Sequence, residues 1–387
     1  MHILQITRSL ATTGGIANVA SSLARELQRK GAAVENLCWS RAADSEGEAA
    51  SGSRLPPSFL PRITGAIAST HLRLLLEVPL FTLWSTVAAL GARRRGAVLL
   101  SHGDTLAADI VVGHSCHWAT IGVKHSSGER RWMLYPLHWF ILLREALLFR
   151  RRRKPFLAAI SESVAREYRR YHRFPEERIF LVPNGVDRSR FRPAEEKRAV
   201  RRERGLPEDP FLILFAGNEF KRKGLRFAIE GLALCRSAHL PHLLVAGADK
   251  PSPYRELARA RGVEERVHFL GPVREIEEVQ RAADLFLLLS DYEPFGLVAM
   301  EALSSGIPVL STPVGGVKDY LKHELNGLFV ERNGEAVARA LDRVLEDESL
   351  RNRLAANARD STEAYGWSPI ADKYLELCER VLEERRN

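Results

Sequence analysis

Short runs of apolar residues recur along the chain, each followed by a longer stretch with helical periodicity; this alternation predicts strand–helix units assembled into parallel sheets. Residues 2–7 form the first such run and lead, through a loop holding Gly14 and Gly15, into a helix near 16–30. A second strand is expected at 34–38, short strands around 98–100 and 110–112, and another strand–helix unit from 156–160, with Ser161 as the helix N-cap. Between them lie a Ser/Pro-rich stretch at 40–62 and an apolar helical region. Residues 178–182 then run into the turn-forming Pro183-Asn184-Gly185-Val186-Asp187, where a domain boundary is expected. The pattern restarts with a strand at 211–215 and its turn Ala216-Gly217, followed by strands at 243–246, 267–270, 285–289 and 308–310, each separated by a helical segment. Helices near 335–346, 349–365 and 369–385 close the chain. The expected organisation is a first domain over 1–187, a second over 188–366 and a terminal helix over 367–387.

Composition narrows the class. The chain has 387 residues, 45% hydrophobic and 27% charged, enough to bury two ordinary α/β cores. Its net charge of +9 is unevenly spread: residues 1–190 hold 27 Lys and Arg against 15 Asp and Glu, while the remainder holds 30 against 33. A basic first half suggests an anionic partner for that domain. Cys38, Cys116, Cys235 and Cys378 are scattered with no C-x-x-C pair, which fits a reducing, cytoplasmic compartment. The apolar stretch 74–90 is broken by Glu77 and Pro79, so no transmembrane helix is expected.

The candidate chemistry centres on two carboxylates eight positions apart, Glu293 and Glu301, bracketing the run Glu293-Pro294-Phe295-Gly296-Leu297-Val298-Ala299-Met300-Glu301. The apolar strand at 285–289 precedes it, and ligands of open α/β sheets bind beyond the carboxyl ends of such strands. Glu293 falls in the loop at that end, and Glu301 just over one turn into the following helix. A nucleotide sugar has two polyol ends, each suited to an ionised acceptor. Backbone N–H groups of Phe295, Gly296 and Leu297 at the helix start form a cradle for its diphosphate. The plainer reading is a solvated helix N-terminus, which also favours Glu.

PNGVD at 183–187, KG at 223–224, HFLGPV at 268–273 and EPFGLVAMEALSSGIPVL at 293–310, in this order, resemble family 4 of the retaining glycosyltransferases and, within it, the bacterial lipopolysaccharide-core glucosyltransferases. The resemblance implies an α/β GT-B fold, with two Rossmann-like parallel-sheet domains facing across a cleft. The donor would be held by the second domain and the acceptor by the first, with the last helix crossing back. It implies that Glu301 binds the ribose hydroxyls, Glu293 hydroxyls of the transferred sugar, and the segment from Pro294 to Leu297 the phosphate and sugar. It also implies that Gly15 brings the first domain's loop to the phosphates, that the stretch around Val273 receives the base, and that Lys223 neutralises the leaving diphosphate. Many relatives carry Arg directly after the glycine of the first strand in this domain; here Gly217 is followed by Asn218, and Arg222 is the expected substitute. Lys221 reads as solvated. A polar residue of the loop His114-Ser115-Cys116-His117 is implied near the reacting sugar, and the sequence does not choose between His114 and His117. A zinc site built from these with Cys116 and His102 is conceivable, although the spacing matches no regular ligand pattern.

No Asp-x-Asp occurs in the chain, so stabilisation of the leaving group by Lys223, Arg222 and helix amides is expected in place of a metal, and no cofactor is expected. From Arg130 to Lys154 large apolar residues, including Trp132, Tyr135 and Trp139, alternate with arginines. Such a segment suits peripheral contact with an anionic membrane at its inner face, where a lipid-linked acceptor resides. A core helix with an exposed Arg150–Arg153 cap explains it equally well; Arg93-Arg94-Arg95 is a second cluster. The function expected is transfer of a hexose, first of all glucose from UDP-glucose, to a glycan or glycolipid such as lipopolysaccharide core. The alternatives are a GT-B-fold sugar-nucleotide epimerase and a non-catalytic nucleotide-sugar-binding protein. Nucleic acid is disfavoured because the arginines lie beside apolar residues without a recognised motif. A dehydrogenase is disfavoured because the glycines at 14–15 lack G-x-G-x-x-G.

Overall fold

The structure is a computed structural model and describes residues 1–10, 15–41, 53–57, 61, 64–65, 67, 69–126, 130–150 and 153–387. The chain forms two compact units: Met1–Gly185 together with Trp367–Asn387, and Val186–Gly366.

The first unit is built on a parallel sheet of β1 (His2–Ile6), β2 (Ala33–Leu37), β3 (Ser53–Arg54), β4 (Val98–Ser101), β5 (Ile110–Gly113), β6 (Phe156–Ala159) and β7 (Ile179–Leu181), in the order β3-β2-β1-β4-β5-β6-β7. β4, β5 and β6 are buried at every position, which is why they read as unbroken apolar runs rather than as alternating strands. Its helices are α1 (Gly15–Arg29), α2 (Thr70–Arg94), α3 (His117–Ser126), α4 (Pro136–Phe149) and α5 (Glu162–His172). Ser161 caps α5 as expected, its Oγ accepting from the N–H of Val164 at 3.2 Å.

Glu77 and Pro79 interrupt the apolar run but not the helix. α2 is one helix of 25 residues with Pro79 inside it, long and apolar enough by length and composition to cross a membrane. Its inner face is core, since Phe81, Ala89 and Ala92 pack with Leu4, Ile6, Leu37 and Leu99. That packing carries the helix past the proline, and it makes α2 a surface helix of this unit.

The second unit repeats the architecture with β8 (Leu212–Ala216), β9 (His242–Ala246), β10 (Val267–Gly271), β11 (Leu285–Leu288), β12 (Val309–Ser311) and β13 (Gly327–Phe329), all parallel, in the order β10-β9-β8-β11-β12-β13. Its helices are α6 (Lys197–Glu203), α7 (Phe220–Lys223), α8 (Leu225–Leu234), α9 (Ser252–Ala260), α10 (Ile276–Ala282), α11 (Leu297–Ser304), α12 (Val317–Tyr320), α13 (Gly334–Glu346) and α14 (Glu348–Asp360). The strand order reverses between β8 and β11, and between β1 and β4 in the first unit. These are the topological switch points where doubly wound sheets bind ligands.

The chain leaves and re-enters the first unit at one place. Val186 pairs with Gly366, while α15 (Trp367–Arg386) packs on the first unit through Lys30–Asp372 at 2.8 Å and Arg178–Glu384 at 2.8 Å. A Cβ on Gly185 would lie 2.4 Å from the Trp367 ring, so this residue of the PNGVD turn is glycine for packing.

Candidate active site

The residues that follow β8 and β11 meet at the switch point of the second unit. Gly217, directly after β8, has φ +132, and a Cβ there would lie 2.6 Å from Cε and 2.8 Å from Cδ of Lys223. The absent side chain is what lets Lys223 fold back across the strand end. Lys223 is buried, and its Nζ lies 3.3 Å from Oε2 of Glu293. The same Oε2 receives Ser290 Oγ at 3.4 Å and faces Arg222 Nη1 at 3.6 Å. All these contacts fall on one carboxylate oxygen; among the described residues no hydrogen bond reaches Oε1. A buried carboxylate held by two cations with one oxygen open is equipped to accept from a ligand hydroxyl.

Arg222 does stand where a second cation was expected, donating also to Tyr292 O and, at 2.9 Å, to Glu219 Oε2. Asn218 has a different task, its Oδ1 accepting from Ala248 N at 2.9 Å. Lys221 is exposed. Val273 is half-buried just beyond the end of β10, two strands from β8 in the sheet order.

The loop from Glu293 to Leu297 is shaped by backbone contacts. Gly296 has φ +84 and caps α11, and a Cβ there would meet Tyr320 Oη at 2.7 Å. Tyr320 Oη donates to Gly296 O at 2.9 Å. With Gly296 as the cap, the first amides of α11 have no acceptor within the helix. The Phe295 side chain is buried against the rings of Tyr320 and Tyr365, which anchors the loop. Pro294 O and Glu293 O both accept from Gly316 N at 3.2 Å.

Glu301 lies on α11 and is partly buried. Burial pushes its carboxyl up to about 8, with Arg190 and Lys223 pulling against that rise and Glu277 adding to it. Among the described residues no hydrogen bond reaches the Glu301 carboxylate. Arg190 is instead committed to Glu277, in a fork of two 2.8 Å bonds.

Several residues that hold the site carry no local sequence signal. Arg332 donates to Leu289 O at 2.7 Å, Lys221 O at 3.0 Å and Arg222 O at 3.1 Å, tying the end of β11 to α7. Gly315 approaches so closely that a Cβ would fall 1.6 Å from Glu293 O. Arg190 and Tyr320 belong with them. Only the turn-forming Gly315-Gly316 pair is visible in the sequence as a feature.

In the first unit Gly15 opens α1, and a Cβ there would meet nothing within 4 Å; Gly14 lies outside the described residues. The histidines fall into two pairs rather than one cluster. His114 Nε2 is 2.8 Å from His102 Nδ1, and His117 Nε2 is 3.0 Å from His138 Nδ1. Burial lowers His114 to about 4. A zinc site of these histidines with Cys116 is therefore not formed. Cys116 instead lies near Glu145 and His172, the three ligand-capable atoms within 4.8 Å of one another. His172 Nε2 and Glu145 Oε2 are 3.1 Å apart, and burial pushes the Cys116 thiol up to about 12, so hydrogen bonding and burial account for the trio.

The basic, aromatic segment contains α4, which lies beside α2, Arg144 Nη1 donating to Thr82 Oγ1 at 3.1 Å. Both helices turn apolar side chains outward: Leu72, Leu76, Leu83, Val87 and Leu90 from α2, and Trp139, Leu143 and Leu147 from α4, with Val87 73% exposed. Arg94, Arg95 and Arg150 are exposed near the ends of these helices, whereas Arg93 and Arg153 are paired with Asp109 and Glu384. Arg151 and Arg152 lie outside the described residues.

Residues 196–361 match the glycosyl transferases group 1 family and residues 13–190 match glycosyltransferase family 4, so the two matches together cover most of both units. The chain belongs to the family 4 glycosyltransferases. Among curated relatives this family member is 35% identical over 245 residues to a D-inositol 3-phosphate glycosyltransferase of Xylanimonas cellulosilytica, covering 59% of the chain and 58% of the relative. It is 28% identical over 240 residues to the lipopolysaccharide glucosyltransferase WaaG of Escherichia coli, covering 60% and 64%. Such alignments span about three-fifths of the curated relatives' length. In fold it matches the crystal structure of WaaG with a TM-score of 0.79 at 21% identity, over 97% of this chain and 99% of that one, which makes both units GT-B in architecture. An Anabaena protein, HepE, crystallised with UDP-glucose, matches with a TM-score of 0.71 at 18% identity over 98% of this chain and 100% of its own.

Proposed function

We propose that the chain transfers a hexose, with retention of anomeric configuration, from a nucleoside diphosphate sugar to a glycan or glycolipid, with UDP-glucose as the donor. The observation that carries this reading is the arrangement after β8 and β11: Glu293 held through one oxygen by Lys223 at 3.3 Å and Arg222 at 3.6 Å, beside the N-terminus of the helix that bears Glu301. Breaking the anomeric C–O bond leaves negative charge on the diphosphate. Lys223, Arg222 and the first amides of α11 are the groups that offset it, in a site where fixed charges act more strongly than in water. Glu293 Oε1 accepts from hydroxyls of the transferred sugar, Glu301 from the ribose, and the segment around Val273 lies against the base. Lys223, Arg222 and the α11 amides take the part that a divalent metal plays elsewhere, and no Asp-x-Asp is present in the chain. UDP-glucose is favoured by the lipopolysaccharide glucosyltransferase among the relatives and by the UDP-glucose complex of a protein of the same fold.

The acceptor is a glycolipid rather than a soluble inositol phosphate. The apolar outer faces of α2 and α4 support this choice, since with Arg94, Arg95 and Arg150 they suit the cytoplasmic face of an anionic membrane. A thermal-shift panel of UDP-, GDP- and ADP-sugars at equal concentration tests the donor, because a ligand that binds only the folded state stabilises it more the smaller its Kd. UDP-glucose should give the largest shift, undiminished by EDTA. No shift with any nucleotide sugar would remove the proposal, and conversion of labelled donor to its epimer without acceptor would replace it with an epimerase.

A further inference from the structure

His102 lies directly after β4 and His114 directly after β5, adjacent parallel strands in which Ser101 pairs with Val111, so the two imidazoles are brought together at the carboxyl ends of the first sheet. His102 Nδ1 and His114 Nε2 are 2.8 Å apart, with the ring planes 15° from parallel. His102 is 6% exposed, and its backbone is fixed by the bond from its N–H to Ile6 O at 2.9 Å. Its other ring nitrogen, Nε2, is buried and has no hydrogen-bond partner. His114 is half-buried, and no described residue hydrogen-bonds its Nδ1.

These facts choose a tautomer. A neutral imidazole carries one N–H. With the proton on His102 Nε2, a donor would be buried without an acceptor, and orphaned N–H groups are rarer in proteins than under-satisfied acceptors. With the proton on Nδ1, the orphan is only a lone pair, and the N–H donates along the 2.8 Å contact to His114 Nε2. His114 Nε2 is then the acceptor, so the proton of His114 must sit on Nδ1. The His114 ring has no lone pair left to take up a proton.

We propose that His102 is a positioning residue: it holds His114 as the Nδ1–H tautomer, so that His114 presents a hydrogen-bond donor, and not a base, to an oxygen of the substrate. The proposal rests on the glycosyltransferase reading only for the nature of that oxygen, a sugar hydroxyl or a diphosphate oxygen; the tautomer itself stands on the geometry of the pair.

The first test is a ¹⁵N–¹H correlation spectrum of the imidazoles in uniformly labelled wild-type protein, with His114→Gln used to assign the His114 signals. The expected pattern is a protonated Nδ1 and an unprotonated Nε2 for His114. A protonated Nε2, or a mixture of tautomers, overturns the proposal whether or not the protein transfers sugar. The second test compares His102→Leu with His102→Asn, whose amide places a donor near the original Nδ1. Leu should mix the His114 tautomers and lower kcat about tenfold, the effect of one neutral hydrogen bond, with KM for the donor unchanged; Asn should keep both near wild type. Equal losses in the two variants, or a Leu variant with the wild-type spectrum, reject the role. A wild type with the expected spectrum and no transferase activity leaves the tautomer standing and removes the glycosyltransferase reading instead.

Discussion

Replacing Glu301 with Gln gives a direct measure of how the carboxyl is held. Burial raises this group from an ordinary 4.5 to about 8. The folded protein therefore keeps the proton over a pH range in which the unfolded chain has already lost it. The contribution to stability is fully present below about pH 4.5, falls by about 1.4 kcal/mol per pH unit as pH rises, and is gone above about 8. Between pH 5 and pH 8 the wild type should lose up to about 4 kcal/mol from this residue, whereas Glu301→Gln, with the same shape and no ionisation, should lose none of it. For a unit of this size that is roughly 10 °C in Tm. Thermal melts of both proteins from pH 5 to pH 9 should converge at the acid end, diverge in favour of Gln up to pH 8 and run parallel beyond. Adding UDP-glucose at pH 7 should draw the carboxylate form, so titration calorimetry in buffers of different ionisation heat should show proton release by the wild type and none by the variant. Parallel melting curves over the whole range would refute the buried, protonated state; divergent curves without proton release would keep that state and remove the ribose role.

Lys223→Met should lower kcat by about 10²- to 10³-fold, the cost of removing one group that stabilises developing charge, with a smaller change in KM for the donor; steady-state kinetics with UDP-glucose check it. Gly296→Ala should destabilise the second unit by about 2 kcal/mol, from the left-handed backbone and the approach to Tyr320 Oη, and should abolish the donor-induced thermal shift. Paired Leu83→Glu and Leu143→Glu should leave Tm within about 2 °C, since both side chains are exposed, yet sharply reduce flotation with vesicles containing anionic lipid at low salt.

Much of the candidate site in the second unit was legible because its signals are local. An unbroken apolar run announces a strand covered on both faces, and β11 is that strand. The glycine–carboxylate string after it must form a turn and start a helix, and it does so at Gly296. Lys223 could be placed because the glycine after β8 and the basic run after it are both visible in sequence. What was not legible depends on distant contacts. That the apolar stretch with Pro79 is one helix of 25 residues packing Phe81, Ala89 and Ala92 inward depends on contacts with Leu4, Ile6, Leu37 and Leu99. Arg332 and Gly315 reach the Glu293 loop from segments whose own patterns say only turn or surface. The partner of His114 is His102, twelve residues earlier, because β4 and β5 are neighbours in the sheet, and strand adjacency is not written in either strand.

The arrangement around Glu293 and Glu301 places desolvated carboxyls where folding alone does not require them. Glu293 is buried with two cations on one oxygen, Glu301 is partly buried with no hydrogen bond from a described residue, and Arg190, whose charge acts on Glu301, is already paired to Glu277. A core chosen for stability alone would replace these groups, because taking carboxylates out of water is costly even when they are paired. A ligand that brings hydroxyls to both carboxylates and a negative diphosphate to Lys223 and Arg222 resolves all of them together. On the proposed reading, contacts that bind the donor also stabilise the second unit. Variants that remove the desolvated carboxyl, Glu301→Gln foremost, should gain stability at pH 8 and lose affinity for the nucleotide sugar.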